Sequence, residues 1–208
     1  MSDAALSIAP PAPRSGDKRE AILAAALRII ARLGLHNAPM SAVAKEAGVA
    51  AGTLYLYFPS KEAMINALYL EVLQDRHHVL VDPARGVAAD SPVEALRATW
   101  TALARWYIEH PEASNLIVQC RSSGILADET RASEQQMEEE GLAMFAAAVS
   151  SGHLRAMSRY EFWALFAGPI AMLVQMRESG EVEITDDVLR STFSGVCRSV
   201  LPDGTPCG

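Results

Sequence analysis

Apolar residues recur at helical spacing along most of this chain. Ile22, Leu23, Ala26, Leu27, Ile30 and Leu33 mark one face of a first helix. Asp17 with Glu20 three residues on is a capping-box-like start, and Gly34 suits its end. A short helix follows over about Pro39–Ala47, with Val43, Ala44 and Ala47 inward, and Gly48 breaks it. Ser60 is an N-cap for a long helix from Lys61 to about Val79, apolar at Met64, Ile65, Leu68, Leu70, Val72 and Leu73. Pro83, Gly86 and Asp90 make 81–91 a loop. Ser91, Pro92 and Glu94 then open a helix that runs to Glu109, its charges confined to a narrow strip. Further helices are expected over about 111–121, 128–150, 160–178 and 186–201. In the last, Leu189, Phe193, Val196, Cys197 and Val200 share one face. The expectation is an all-α fold of about nine helices, with no convincing strand and no internal repeat.

One stretch resists that pattern. Gly52-Thr53-Leu54-Tyr55-Leu56-Tyr57-Phe58 is rich in β-branched and aromatic residues and reads locally as a strand. It has no partner strand anywhere, and an isolated strand is not stable. The preceding helix and Gly48 turn favour a helix-turn-helix instead, with Val43, Val49, Leu54 and Phe58 as a shared small core.

The ordered run Val43-Ala44-Lys45-Glu46-Ala47-Gly48-Val49, then Gly52 to Phe58, then Ser60-Lys61-Glu62, closely resembles the signature of the tetracycline-repressor (TetR) family of bacterial regulators. The match covers about Asp17–Leu68. Residues 1–16, rich in Ala, Ser and Pro and without periodicity, read as a disordered arm, and the resemblance implies a helix-turn-helix DNA-binding domain over 17–62 and a ligand-binding and dimerising domain over 63–208. The implied partners are double-stranded DNA carrying a palindromic operator, a second copy of the chain, and a small-molecule effector.

In such a motif the second helix enters the major groove with its N-terminal residues at base edges. Ala51, Gly52 and Thr53 occupy those places. Thr53 can meet a phosphate, a base edge or a thymine methyl. The resemblance implies phosphate or sugar contacts from Tyr55 and Tyr57, with domain packing as the alternative for either. Lys61 begins the next helix, where the dipole favours a phosphate. Ser41, Lys45 and Leu56 complete the expected surface. The chain departs from the family pattern at Pro39-Met40, Ala50, Ala51 and Leu56. Because 51–58 holds no Lys, Arg, Gln or Asn, bidentate base readout from this helix is excluded. Specificity then falls to Thr53, Ser41, Lys45, methyl contacts and DNA shape.

Charge sharpens this division. Net charge is −7, yet residues 1–61 hold seven Lys/Arg against four Asp/Glu, while 62–208 hold eleven against twenty-one. A basic front and an acidic rear suit one surface for a polyanion. Arg14 could add an arm contact. Cys120, Cys197 and Cys207 have no metal-type spacing and suit a reducing compartment. The longest apolar stretch, about 162–174, contains Gly168-Pro169 and is short of the ~20 residues a bilayer needs. The chain reads as soluble and cytoplasmic, with no membrane partner, no cofactor and no metal. Adjacent His77 and His78 point apart on a helix and suit a solvated face.

The candidate effector lining is Trp100, Leu103, Trp106, Tyr107, Leu116, Gln119, Met144, Phe145, Phe162, Phe166 and Met172, which suits an apolar or aromatic molecule. Each of these is also a candidate for plain core. The dimer candidates are Phe162, Phe166, Gly168, Pro169, Leu189, Phe193 and Val196. The leading reading is a ligand-responsive homodimeric repressor. A second is a DNA-binding regulator whose rear domain only dimerises. A third, an all-helical enzyme, lacks any catalytic set of residues: there is no Ser/His/Asp group, no paired carboxylates and no phosphate loop.

Overall fold

The computed structural model describes residues 15–86 and 92–205. Among them are ten helices: α1 (Ser15–Leu33), α2 (Met40–Glu46), α3 (Ala51–Tyr57), α4 (Lys61–Gly86), α5 (Pro92–Glu109), α6 (Pro111–Ser123), α7 (Asp128–Ser150), α8 (Arg159–Phe166), α9 (Gly168–Glu178) and α10 (Asp186–Val200). The helix expected over 160–178 is two, which accounts for the tenth. Pro169 has no N–H to continue the ladder, and the break falls at Ala167, just before it. Of the loop expected over 81–91, the part up to Gly86 is helical, since α4 continues to that residue, and 87–91 lie outside the described residues. The proposed arm over 1–16 lies outside the described residues up to position 14, and Ser15 already belongs to α1. The Ser91 cap and Cys207 also lie outside them.

Two compact units divide at Ile65 and Asn66, so α4 contributes its first turn to one and the remainder to the other. In the first unit, α1 buries Ile22, Leu23, Ala25, Ala26, Ile29 and Ile30. That stripe is rotated from the expected one: Leu27 is half-buried and Leu33 exposed, with Ala25 and Ile29 inside instead. Gly34 ends the helix at φ +83°, where a side chain would be strained. α2 packs on both α1 and α3. Its Val43 and Ala44 join Leu54 and Phe58 in the core.

The strand-like run is helical. Leu54 N–H donates to the Ala50 carbonyl at 3.1 Å, and Phe58 N–H to that of Leu54 at 2.9 Å. Gly48 at φ +67° makes the turn before it. Tertiary burial of Leu54 and Phe58 outweighs a local preference that spans only ~1 kcal/mol per residue.

The second unit centres on α5, which packs on α6, α9 and α10, while α8 packs on α10. Trp100, Leu103, Trp106, Tyr107, Leu116, Phe166, Phe193 and Val196 form its core. The buried indoles have partners: Trp100 Nε1 donates to the Phe166 carbonyl at 3.0 Å, and Trp106 Nε1 to Asp75 Oδ2 at 2.6 Å. On α4 the core residue is Tyr69, not Leu70. Its hydroxyl donates to Glu134 Oε1 at 2.8 Å and accepts from Arg121 Nε at 3.1 Å. Arg121 also pairs with Glu134 and with Glu138, tying α6 to α7. Burial lifts the Tyr69 pKa to about 12. Asn66 adds a second tie, donating to the Ile125 carbonyl at 3.1 Å and accepting from Ala127 N–H at 2.9 Å.

Candidate functional site

In the first unit the candidate surface is built by α3. Leu54 is 0 % exposed, while Leu56, two residues on, is 85 % exposed. A helix turns about 100° per residue, so an anchor at 54 and 58 fixes what faces outward. Ala51, Gly52, Tyr55 and Leu56 are exposed, whereas Thr53 and Tyr57 are half-buried on the flank. Of the surface expected on α3, Ala51, Gly52, Tyr55 and Leu56 thus face outward, with Thr53 and Tyr57 at its edge. An added Cβ at Gly52 would meet no atom within 4 Å, so packing inside the chain does not require glycine there. Ser41 and Lys45, one turn apart on α2, are both exposed.

Lys61, expected to meet a phosphate, also has a partner within the unit. Its Nζ donates to the His36 carbonyl at 2.6 Å, which pins the start of α4 to the turn after α1. The same helix terminus is also capped from within. Ser60 Oγ accepts from Ala63 N–H at 3.0 Å. The Glu62 carboxyl is held below its ordinary range by its own backbone N–H and by Ser60. Arg28, on the polar face of α1, pairs with Glu46 of α2 at 2.9 Å. Arg19 lies over the Phe58 ring at 6.0 Å. Several cations of the basic front are thus engaged within the unit.

The second unit holds a partly open cavity of about 620 Å³, within the usual range of ~300–1,000 Å³ for small-molecule sites. α4, α5, α7 and α8 supply its walls. Of the expected lining, Met144, Phe145, Phe162 and Phe166 are there. Trp100, Leu103, Trp106, Tyr107 and Leu116 are instead core around α5, Gln119 is half-buried, and Met172 is 55 % exposed on α9. The aromatic-rich helix was expected to line the site; it holds the core because its two indoles are buried and hydrogen-bonded. The walls that sequence reasoning missed include Leu73, Arg76, Leu80, Leu96, Met137, Leu142 and Trp163. A mid-helix Arg in the apolar face of α4 was the available signal. His77 also lines the cavity, while His78 is exposed, so the pair divides rather than sharing one solvated face. Among the described residues no group of three or more His, Cys, Asp or Glu is placed to hold a metal.

The dimer candidates divide in the same way. Phe166, Phe193 and Val196 are buried within their own unit, and Phe162 faces the cavity. Gly168, Pro169 and Leu189 are half-buried. The large apolar residues exposed on α8 and α9 are Tyr160, Leu165 and Met172.

Residues 22–68, which span α1 to the middle of α4, match the model of bacterial regulatory proteins of the tetR family. The chain belongs to the TetR family. It is 31 % identical over 140 residues to the HTH-type transcriptional regulator RutR of Escherichia coli K12, covering 66 % of this chain and 64 % of RutR. The match thus spans just under two thirds of that relative's length. It is 40 % identical over 72 residues to the regulator UidR of the same organism, covering 33 % of this chain and 35 % of UidR. The crystal structure of a TetR family regulator from Marinobacter aquaeolei VT8 superposes with a TM-score of 0.82 at 26 % identity, covering 90 % of this chain and 97 % of that one. In TetR terms, α2 and α3 are the helix-turn-helix, and α3 takes the recognition position.

Proposed function

We propose that this TetR-family chain is a cytoplasmic homodimeric repressor that binds a palindromic operator through α3 and leaves it when a small effector fills the cavity of the second unit. The outward face of α3 carries the reading. Leu54 and Phe58 anchor the helix, and Tyr55 and Leu56 stand in the open. An exposed leucine flanked by a tyrosine suits contact with sugar and thymine methyls. Ser41 and Lys45 supply polar contacts from α2.

One seven-residue helix spans too few base pairs for a specific site, so two copies are needed. Tyr160, Leu165 and Met172 on α8 and α9 support a partner on that face, with Gly168 and Leu189 beside them. Effector control requires only that the filled and empty cavities differ in their preference for the DNA-bound arrangement. The loss of DNA affinity equals that difference and no more.

Selection of bound sequences from a random duplex pool, followed by binding at several salt concentrations, tests this. Tyr55→Phe and Lys61→Ala are expected to weaken operator binding several-fold while the sedimentation of the protein is unchanged. Affinity should fall steeply as salt rises, because phosphate contacts release counterions. A flat salt response, or no enriched sequence, sinks the DNA-binding assignment. Met172→Glu is expected to give monomers and to lower operator affinity with them.

A further inference from the structure

We infer that the cavity takes an amphiphilic monoanion, an apolar carboxylic acid whose carboxylate sits on Arg76. This rests on the cavity being a ligand site, as proposed above, and adds its chemistry. Arg76 is 8 % exposed and lines the cavity from the middle of α4. Its Nε is the buried side-chain polar atom that lacks a hydrogen-bond partner among the described residues. A guanidinium N–H withdrawn from water without an acceptor is costly. Folded chains rarely retain one unless something pairs with it.

The carboxylates that could answer Arg76 from within the cavity are already committed. Glu134 receives Arg121 and the Tyr69 hydroxyl, and Glu138 receives Arg121. Arg159, also in the lining, donates to the Tyr160 hydroxyl at 2.8 Å and keeps its charge. Arg76, Arg121 and Arg159 set against Glu134 and Glu138 leave one net positive charge, beside apolar walls that include Leu73, Leu96, Met137, Phe145 and Phe162. A planar carboxylate matches the guanidinium fork. The apolar walls exclude a compact, fully hydrated anion, because its other faces would lose water without replacement. A long aliphatic or aromatic body attached to one carboxylate satisfies both demands.

Octanoate, dodecanoate and hexadecanoate, each beside its primary alcohol, test this by calorimetric titration and thermal shift on the full chain. At least one acid is expected to bind ten-fold or more tightly than its alcohol. In Arg76→Met that preference should vanish while the alcohol still binds, and the ligand-free protein should melt higher because the unpaired cation is gone. Arg76→Lys, which keeps the charge and loses the fork, should retain part of the preference. Equal affinity for acid and alcohol in the unaltered protein, binding by none of the acids, or a preference that survives Arg76→Met overturns the inference. Acid binding that leaves operator affinity untouched would keep this site and overturn effector control instead. Tighter binding of dodecanoyl-CoA than of dodecanoate would also overturn it, since the thioester lacks the carboxylate.

Discussion

The two units treat polarity in opposite ways. Every polar or charged side chain buried among the described residues, namely Arg76, Ser114 and Thr130, belongs to the unit from Asn66 onward. The unit up to Ile65 buries only apolar side chains among those described, and its charges pair at or near the surface, as Arg28 does with Glu46. The first unit is thus a rigid platform that holds one short helix by two large side chains. The second keeps a space open and leaves a cation beside it. A reading surface needs fixed geometry, whereas a sensor needs a state that a ligand can improve.

The sharpest way to break the platform is Leu54→Ala. It is expected to cost about 2–5 kcal/mol in urea unfolding, through lost burial and the cavity left behind. Leu56→Ala, on the same helix, should change stability by less than about 0.5 kcal/mol yet weaken operator binding. Equal stability costs for the two would mean that α3 is not anchored as described.

Raising pH strikes the second unit. Burial lifts the Cys120 thiol from 9.0 to about 12 and the Tyr69 phenol from 10.0 to about 12. Both groups hold their protons more firmly when folded. Their contribution is complete below about pH 9, where the unfolded thiol begins to ionise, and is lost as pH rises through about 12. Melting temperature should therefore decline over that window, and Cys120→Ala should flatten the decline even if its own baseline is lower. A slope unchanged by that substitution would remove the thiol from the explanation.

Smaller effects refine the contrast. Arg121→Met leaves Glu134 with Tyr69 but removes the cation between α6 and α7, for an expected loss of about 1–2 kcal/mol, since the guanidinium is partly in water. Gly52→Ala should be neutral or stabilise by up to about 1 kcal/mol, because helix propensity rises and nothing opposes the new methyl. It should still weaken operator binding, if the backbone there approaches DNA. Unfolding and operator titrations on one preparation would separate the two outcomes.

Much of the fold was legible from spacing alone. Helical periodicity, Ser60, Gly34 and Gly48 delimit elements through local chemistry, while the capping box at Ser158 that starts α8 was not among the expected starts. The motif in 43–62 carried the family because turn, crossing and anchor residues must recur in order there. The cavity was far less legible. Trp100, Trp106 and Phe145 are all large apolar residues on amphipathic helices, and no local property says which are enclosed by neighbours and which border a void. Arg76 shows the same limit from the other side. Its place within the helix follows from periodicity, but only the tertiary packing buries its Nε and supplies no partner. Local backbone preference and hydrophobic period are properties of a segment, so the sequence by itself determined the helices and the helix-turn-helix. Enclosure, and the face that Leu56 turns to solvent, depend on which segments meet, and the tertiary structure alone decided them.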